Sequence, residues 1–300
     1  MKRILILFLL VAIMAAGCGN NDSVTDIAAT TLPVYEFTSA LCRGTGLNVT
    51  LLVTESVSCL HDYTLQVSQM RTIEKAGLIV MNGAGLETFL DDALTGAHTI
   101  IDSSRGIELL CPDEGHDHDH DHDHDHDDDH HGHSHDADSH IWLSPENAKV
   151  MAQNICDGLS EHYPQHEKAF RRNLDELVNR LEALQRYGEE TLADISCREI
   201  ITFHDGFSYF AQSFGLTILE AVEEESGSEA SAQELIRLIE MVREHDLPAI
   251  FTEINGSVSA ASVISAETGV KTFPLDMAMG SGSYFDAMYR NIDTIREALA

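Results

Sequence analysis

The chain has 300 residues, 43% of them hydrophobic, with 50 acidic against 18 basic side chains and a formal net charge of −32. That length allows one large core or two medium domains. The acidity excludes a nucleic-acid-binding surface, which needs a basic footprint, and instead attracts cations, although much of the acid lies in one segment.

Met1-Lys2-Arg3 is a short positive start, Ile4 to Ile13 an unbroken apolar run, and Ala15-Ala16-Gly17 a set of small residues ahead of Cys18. The run is too short to span a bilayer as a mature helix and reads as a signal peptide over residues 1–18. Small residues directly before a cysteine resemble the bacterial lipobox, with Ala15 where Leu is usual. That resemblance implies cleavage before Cys18, lipid on Cys18, and anchoring to the outer face of the cytoplasmic membrane, at a cell surface or in a periplasm. Residues 19–25 are polar and small, as a tether requires.

From Asp26 onward, β-rich runs alternate with helical ones. Strands are predicted over 26–31, 48–53, 78–81 and 99–101, with helices over 34–42, 64–76 and 86–94; Asn82-Gly83-Ala84-Gly85 is a turn. Strand followed by helix, repeated, predicts a mainly parallel sheet with right-handed crossovers. Residues 113–139 are dominated by His and Asp and are expected to form a disordered surface loop within a first lobe over 26–164. Ser144-Pro145 starts a helix to about His162. Residues 165–195 form a long charged stretch with Phe170, Leu174, Leu177, Leu181, Leu184 and Leu192 on one apolar stripe, the length of a stiff connector. A second series over 196–300 has strands at 199–203, 216–222, 249–254 and 270–275, and helices at 206–214, 231–244, 257–268 and 283–299. The fold class is therefore α/β: two similar lobes, each a four-stranded mainly parallel sheet flanked by helices, joined by one long rigid helix.

Parallel sheets bind ligands beyond the carboxyl ends of their strands. His61 lies after the second strand, His140 after the fourth, His204 directly after the fifth and Asp276 after the eighth. Three imidazoles with a carboxylate or water form a tetrahedral set suited to Zn2+. A lone His beside a strand is more often a packed residue, but four such positions point the same way. The tract from 116 to 135 adds His116, His118, His120, His122, His124, His126, His130, His131, His133 and His135 as weak, exchangeable metal sites. Composition leaves open whether they scavenge, deliver or sense metal, or bind it incidentally.

Cys59-Leu60-His61-Asp62-Tyr63, Ser139-His140-Ile141-Trp142-Leu143-Ser144-Pro145 and Thr202-Phe203-His204-Asp205 resemble the three metal-ligand motifs of the cluster A-I receptors of ABC importers. The resemblance covers nearly the whole chain after the tether, and among these receptors it is to the ZnuA-like zinc group. It implies two lobes joined by a rigid helix, metal between them, and a membrane permease as partner. In that family His at the third motif goes with zinc and Glu with manganese or iron, so His204 points to zinc. Asp276 matches the position of a fourth ligand in many members, replaced by water in some; the usual Pro after that Asp is absent here. Some zinc receptors carry Glu before the first His, where this chain has Leu60. Asp62 and Asp205 are either acceptors that orient imidazoles or helix caps.

The expected function is a monomeric extracytoplasmic zinc receptor, not an enzyme, delivering Zn2+ to an ABC-type importer. A manganese or iron receptor of the same family is the nearest alternative. A zinc hydrolase with three His ligands is another, with Glu253 its one candidate base and no HExxH motif. An adhesin role stays open beside these, since relatives are described that way. A Cys59–Cys111 disulfide is conceivable, while Cys42, Cys156 and Cys197 read as buried apolar residues.

Overall fold

A computed structural model describes residues 25–55, 60, 63–91, 93–94, 98–110, 137–222, 230–280 and 282–300. Cys18, Cys59, His61, Asp62, Cys111 and the His116–His135 tract lie outside the described residues. Among the described residues, no helix is long and apolar enough to cross a membrane.

Two four-stranded sheets carry the fold, both wholly parallel. The first contains β1 (Ile27–Ala29), β2 (Val49–Leu51), β3 (Leu78–Met81) and β4 (Thr99–Asp102) in the order β2-β1-β3-β4. The second contains β5 (Glu199–Thr202), β6 (Thr217–Ala221), β7 (Ala249–Glu253) and β8 (Lys271–Leu275) in the order β6-β5-β7-β8. The two orders are the same, so each lobe switches direction between its first and third strands, where doubly wound sheets open a crevice. Central strands β1, β3 and β7 are buried, and apolar except for Thr252 and Glu253 at the end of β7, because helices cover both faces.

The helices start where the sequence supplies a cap. In α1 (Leu32–Leu41) Pro33 occupies the first turn, and α2 (Val67–Lys75) begins behind Gln66, whose side chain exchanges bonds with Gln69. Ser144 accepts a hydrogen bond from Asn147 N at the head of α3 (Pro145–His162), and Ser231 with Glu234 forms a capping box on α6 (Ala232–Glu244). The left-handed Gly215 and Gly269 end α5 (Ser208–Phe214) and α7 (Ser259–Thr268). Among the described residues of 86–94, where a helix is expected, the structure has instead the 3-10 turn Thr88–Leu90. The first turn of that helix is lost because Glu87 folds its side chain back onto the backbone of Asn82 and Gly83.

The expected connector is α4 (Glu167–Thr191), entered through a 3-10 turn at Pro164–His166. Its buried stripe of Phe170, Leu174, Leu177, Leu181 and Leu184 faces both lobes. Gly188 does not break it: a Cβ there would lie 2.2 Å from the Phe214 ring, so the glycine makes room for α5. Buried side chains of both sheets, α3, α4 and the terminal α8 (Tyr284–Leu299) form one continuous core. The lobes are also latched by polar bonds. Glu36 of α1 accepts from Tyr284 N at the start of α8 (2.8 Å), and burial raises its carboxyl pKa despite that donor. Of the described cysteines, Cys42 and Cys156 are buried and Cys197 is half-buried, all as free thiols.

Candidate metal centre

His204 leaves β5 two residues after its last strand position, so the sheet itself sets its place. His140 comes from the segment that follows the His/Asp tract and opens a 3-10 turn, Ile141–Leu143, ahead of α3. The two imidazoles meet across the lobes. Their Nε2 atoms are 3.4 Å apart and their planes are nearly perpendicular, with ring centroids at 5.2 Å.

Each ring has a carboxylate behind it. Asp138 Oδ1 lies 2.8 Å from His140 Nδ1 and also accepts from His140 N at 2.9 Å. Glu253 Oε2, at the end of β7, lies 3.5 Å from His204 Nδ1. A carboxylate at Nδ1 favours the tautomer that carries its proton there and leaves the Nε2 lone pair for a metal. In that tautomer both Nε2 atoms turn their lone pairs toward the space between the rings. Two ligands at a tetrahedral zinc, each about 2.05 Å from the ion, stand about 3.3 Å from one another. The observed 3.4 Å is that edge length.

The pair is packed into place by a glycine. A Cβ at Gly206 would come within 2.8 Å of His204 Cδ2, 3.0 Å of His140 Cε1 and 2.6 Å of Met277 Cε. The His140 segment is further clamped by the second lobe. Tyr209 of α5 donates to Asp138 O (3.0 Å) and accepts from Leu110 N (3.0 Å). Trp142 Nε1 donates to Met277 O (2.8 Å), and Tyr284 donates to Trp142 O (2.8 Å). Burial pushes the Tyr284 phenol well above its ordinary value, so it stays a donor. His140 is consequently only 6% exposed.

Of the expected set, the structure therefore brings together His140 and His204. His61 lies outside the described residues, and among the described residues no third His, Cys, Asp or Glu completes a cluster. Asp276 sits at the expected end of β8, but its carboxylate is engaged. Oδ1 accepts from Ala278 N (2.9 Å) and Oδ2 pairs with Arg290 (3.0 Å). Asp138, within the tract expected as a loop over 113–139, is built into the site: its N donates to Leu110 O and its carboxylate meets His140. Sequence reasoning passed over Asp138 because it looks like one more acid of the tract; its signal is the Asp-x-His spacing, which lets one carboxylate reach both the backbone N–H and the ring. Glu253, the candidate general base, stands on the Nδ1 side of His204, away from the space between the Nε2 atoms.

The family described as zinc-uptake complex component A, periplasmic (ZnuA) matches residues 27–298, nearly the full chain. The chain belongs to this family. Among curated members of the ZnuA family, the high-affinity zinc uptake system protein ZnuA of Bacillus subtilis is 30% identical, over 96% of this chain and 94% of its own length. The zinc-binding lipoprotein AdcA of Streptococcus pneumoniae is also 30% identical, over 99% of this chain but 61% of AdcA, so the chain spans about three-fifths of that longer relative. A crystal structure of ZnuA superposes with a TM-score of 0.77 at 27% identity, over 92% of this chain and all of that one. The expected two-lobed fold with a long joining helix is thus the fold of the family.

Proposed function

We propose that the chain is the extracytoplasmic zinc receptor of an ABC-type importer. Zn2+ is its cargo, taken up between the lobes by His140 and His204 with His61 as third ligand, and handed to a membrane permease. The observation that carries this reading is the pair of carboxylate-backed imidazoles whose Nε2 atoms stand 3.4 Å apart. Membership of a family of zinc-uptake components supports it. Imidazole nitrogens favour Zn2+ over manganese, which takes oxygen ligands. Ligation requires neutral rings, so acidification weakens binding. Water supplies the fourth position, because Asp276 joins only by leaving Arg290 and the Ala278 N–H. A lipid on Cys18 tethers the receptor to the membrane, and the one core shared by both lobes keeps closure small. A hydrolase reading is disfavoured by Glu253, which backs an imidazole instead of facing the ion's open position.

The test is a zinc titration, with a competing chelator, of the mature chain lacking residues 116–135 but keeping Asp138 and Ser139. One tight site, lost in His204→Ala and in His61→Ala, is expected. Tight binding that survives both substitutions, or that disappears with the tract alone, would overturn the reading.

A further inference from the structure

We propose that Glu87 is a positioning residue for the metal centre, setting the place of the Ser139–His140 backbone through the side chain of Asn82. The proposal rests on the reading of His140 as a zinc ligand. Glu87 touches neither histidine. It is 2% exposed and lies just beyond β3 at the cleft edge of the first sheet. Three donors converge on its two oxygens: Thr30 Oγ1 (2.7 Å) and Asn82 N (2.6 Å) on Oε1, and Gly83 N (3.0 Å) on Oε2. Thr30 follows β1, and its backbone bonds to Val80 and Val53, so the carboxylate ties together the ends of adjacent strands. Asn82 passes the constraint on. Its Nδ2 donates to Gly83 O and to Ser139 O, both at 3.0 Å, and Ser139 directly precedes His140.

The turn held in this way is one the backbone does not favour. Gly83, Ala84 and Gly85 take φ values of 82°, 53° and 81°, a left-handed run that includes a residue with a Cβ. Gly83 admits no side chain, since a Cβ would lie 1.9 Å from Asp102 Oδ1. Such backbone persists only where its surroundings over-determine it. Burial pushes the Glu87 carboxyl up to about 7, with Asp102 adding to the rise, while its three donors pull it down. A carboxylate kept out of water against that resistance supplies acceptors that no apolar residue offers. Gln does not reproduce it: one amide oxygen replaces two, and the amide N–H group meets a donor.

The measurement uses the whole chain, with Zn2+ affinity read against a chelator strong enough to keep the His116–His135 tract empty. The absorption spectrum of bound Co2+ reports ligand geometry. Asn173→Ala is the control: like Asn82, Asn173 is buried and donates to two backbone carbonyls, those of Leu41 and Arg43, but in α4 away from the cleft. Glu87→Gln and Asn82→Ala are each expected to weaken Zn2+ binding about tenfold and to shift the Co2+ spectrum. The double variant should fall little further than the weaker single one, because both act on one connection. Asn173→Ala should lose stability and keep both the affinity and the spectrum. A folded Asn82→Ala chain with parental affinity and spectrum would overturn the proposal, and this variant alone decides if Glu87→Gln does not fold. Tight binding retained in His140→Ala would instead remove the ligand assignment on which the proposal stands.

Discussion

The two lobes have the same strand order, and each carries a buried glutamate, one in the turn after its third strand and one at the end of it, yet the two carboxylates lie differently against the histidines. Glu253 closes β7 and reaches the His204 ring itself, while Glu87 lies six residues past β3 and acts one step removed, on the turn that holds Ser139. The difference follows from where each histidine originates. His204 comes straight off a strand and inherits its position from the sheet. His140 arrives from a long excursion, and its position is assembled from bonds to both lobes: Asn82 from the first, Tyr209, Met277 and Tyr284 from the second. A ligand carried on a loop needs such cross-bracing to be preorganised, and the structure supplies it on that side.

The sharpest way to break this comparison is to strike both histidines together. Gly206→Ala places a Cβ against both imidazoles, and zinc affinity should fall by about 100-fold or more in a chelator competition. Parental affinity in this variant would mean that the rings do not converge at Gly206. The pH dependence of stability is next in size. Glu87 has its carboxyl raised from 4.5 to about 7 in the fold. The folded chain thus holds this proton more tightly than the unfolded chain does. The contribution of this group is most favourable below pH 4.5 and declines as pH rises to 7, by on the order of 3 kcal/mol. Denaturant unfolding should therefore show the parent losing stability relative to Glu87→Gln across that window; a constant gap would mean that the carboxyl is not raised.

The carboxylates behind the rings give the third prediction. Asp138→Asn, which disturbs two short bonds to His140, should weaken zinc binding by about 10–100-fold. Glu253→Gln, at the longer distance, should cost about tenfold or less; equal losses would erase the contrast between a braced and a sheet-borne ligand. Tyr209→Phe strips the bracing alone, leaving Leu110 N and Asp138 O without their phenol, and should lower stability by about 1–3 kcal/mol in thermal or denaturant unfolding. The smallest effect belongs to Asp276→Asn, expected to change zinc affinity by less than about threefold. A drop of tenfold or more would place Asp276 among the ligands despite Arg290.

Much of this was legible in advance, for identifiable reasons. Parallel strands read as short apolar runs, so β3 was located to the residue and α3 was announced by Ser144-Pro145. The helix expected over 86–94 failed because apolar periodicity does not register a side chain that folds back: Glu87 spends its carboxylate on the two backbone N–H groups of a left-handed turn. Asp138 was hidden by its company among the acids of the tract. Gly206 gives no signal at all until the partner atoms from His140 and Met277, distant in the chain, are seen to crowd it.

The sequence by itself determined the αβ alternation, the long joining helix and the place of His204 at a strand end, because these depend on local periodicity, capping and residue chemistry. Only the tertiary structure decided which groups meet. That His140 and His204 face each other at 3.4 Å, that Glu253 stands behind His204, and that Arg290 holds Asp276 are contacts between different elements of the fold. Such contacts are set by how the two sheets and their shared core pack, and no local pattern encodes that packing.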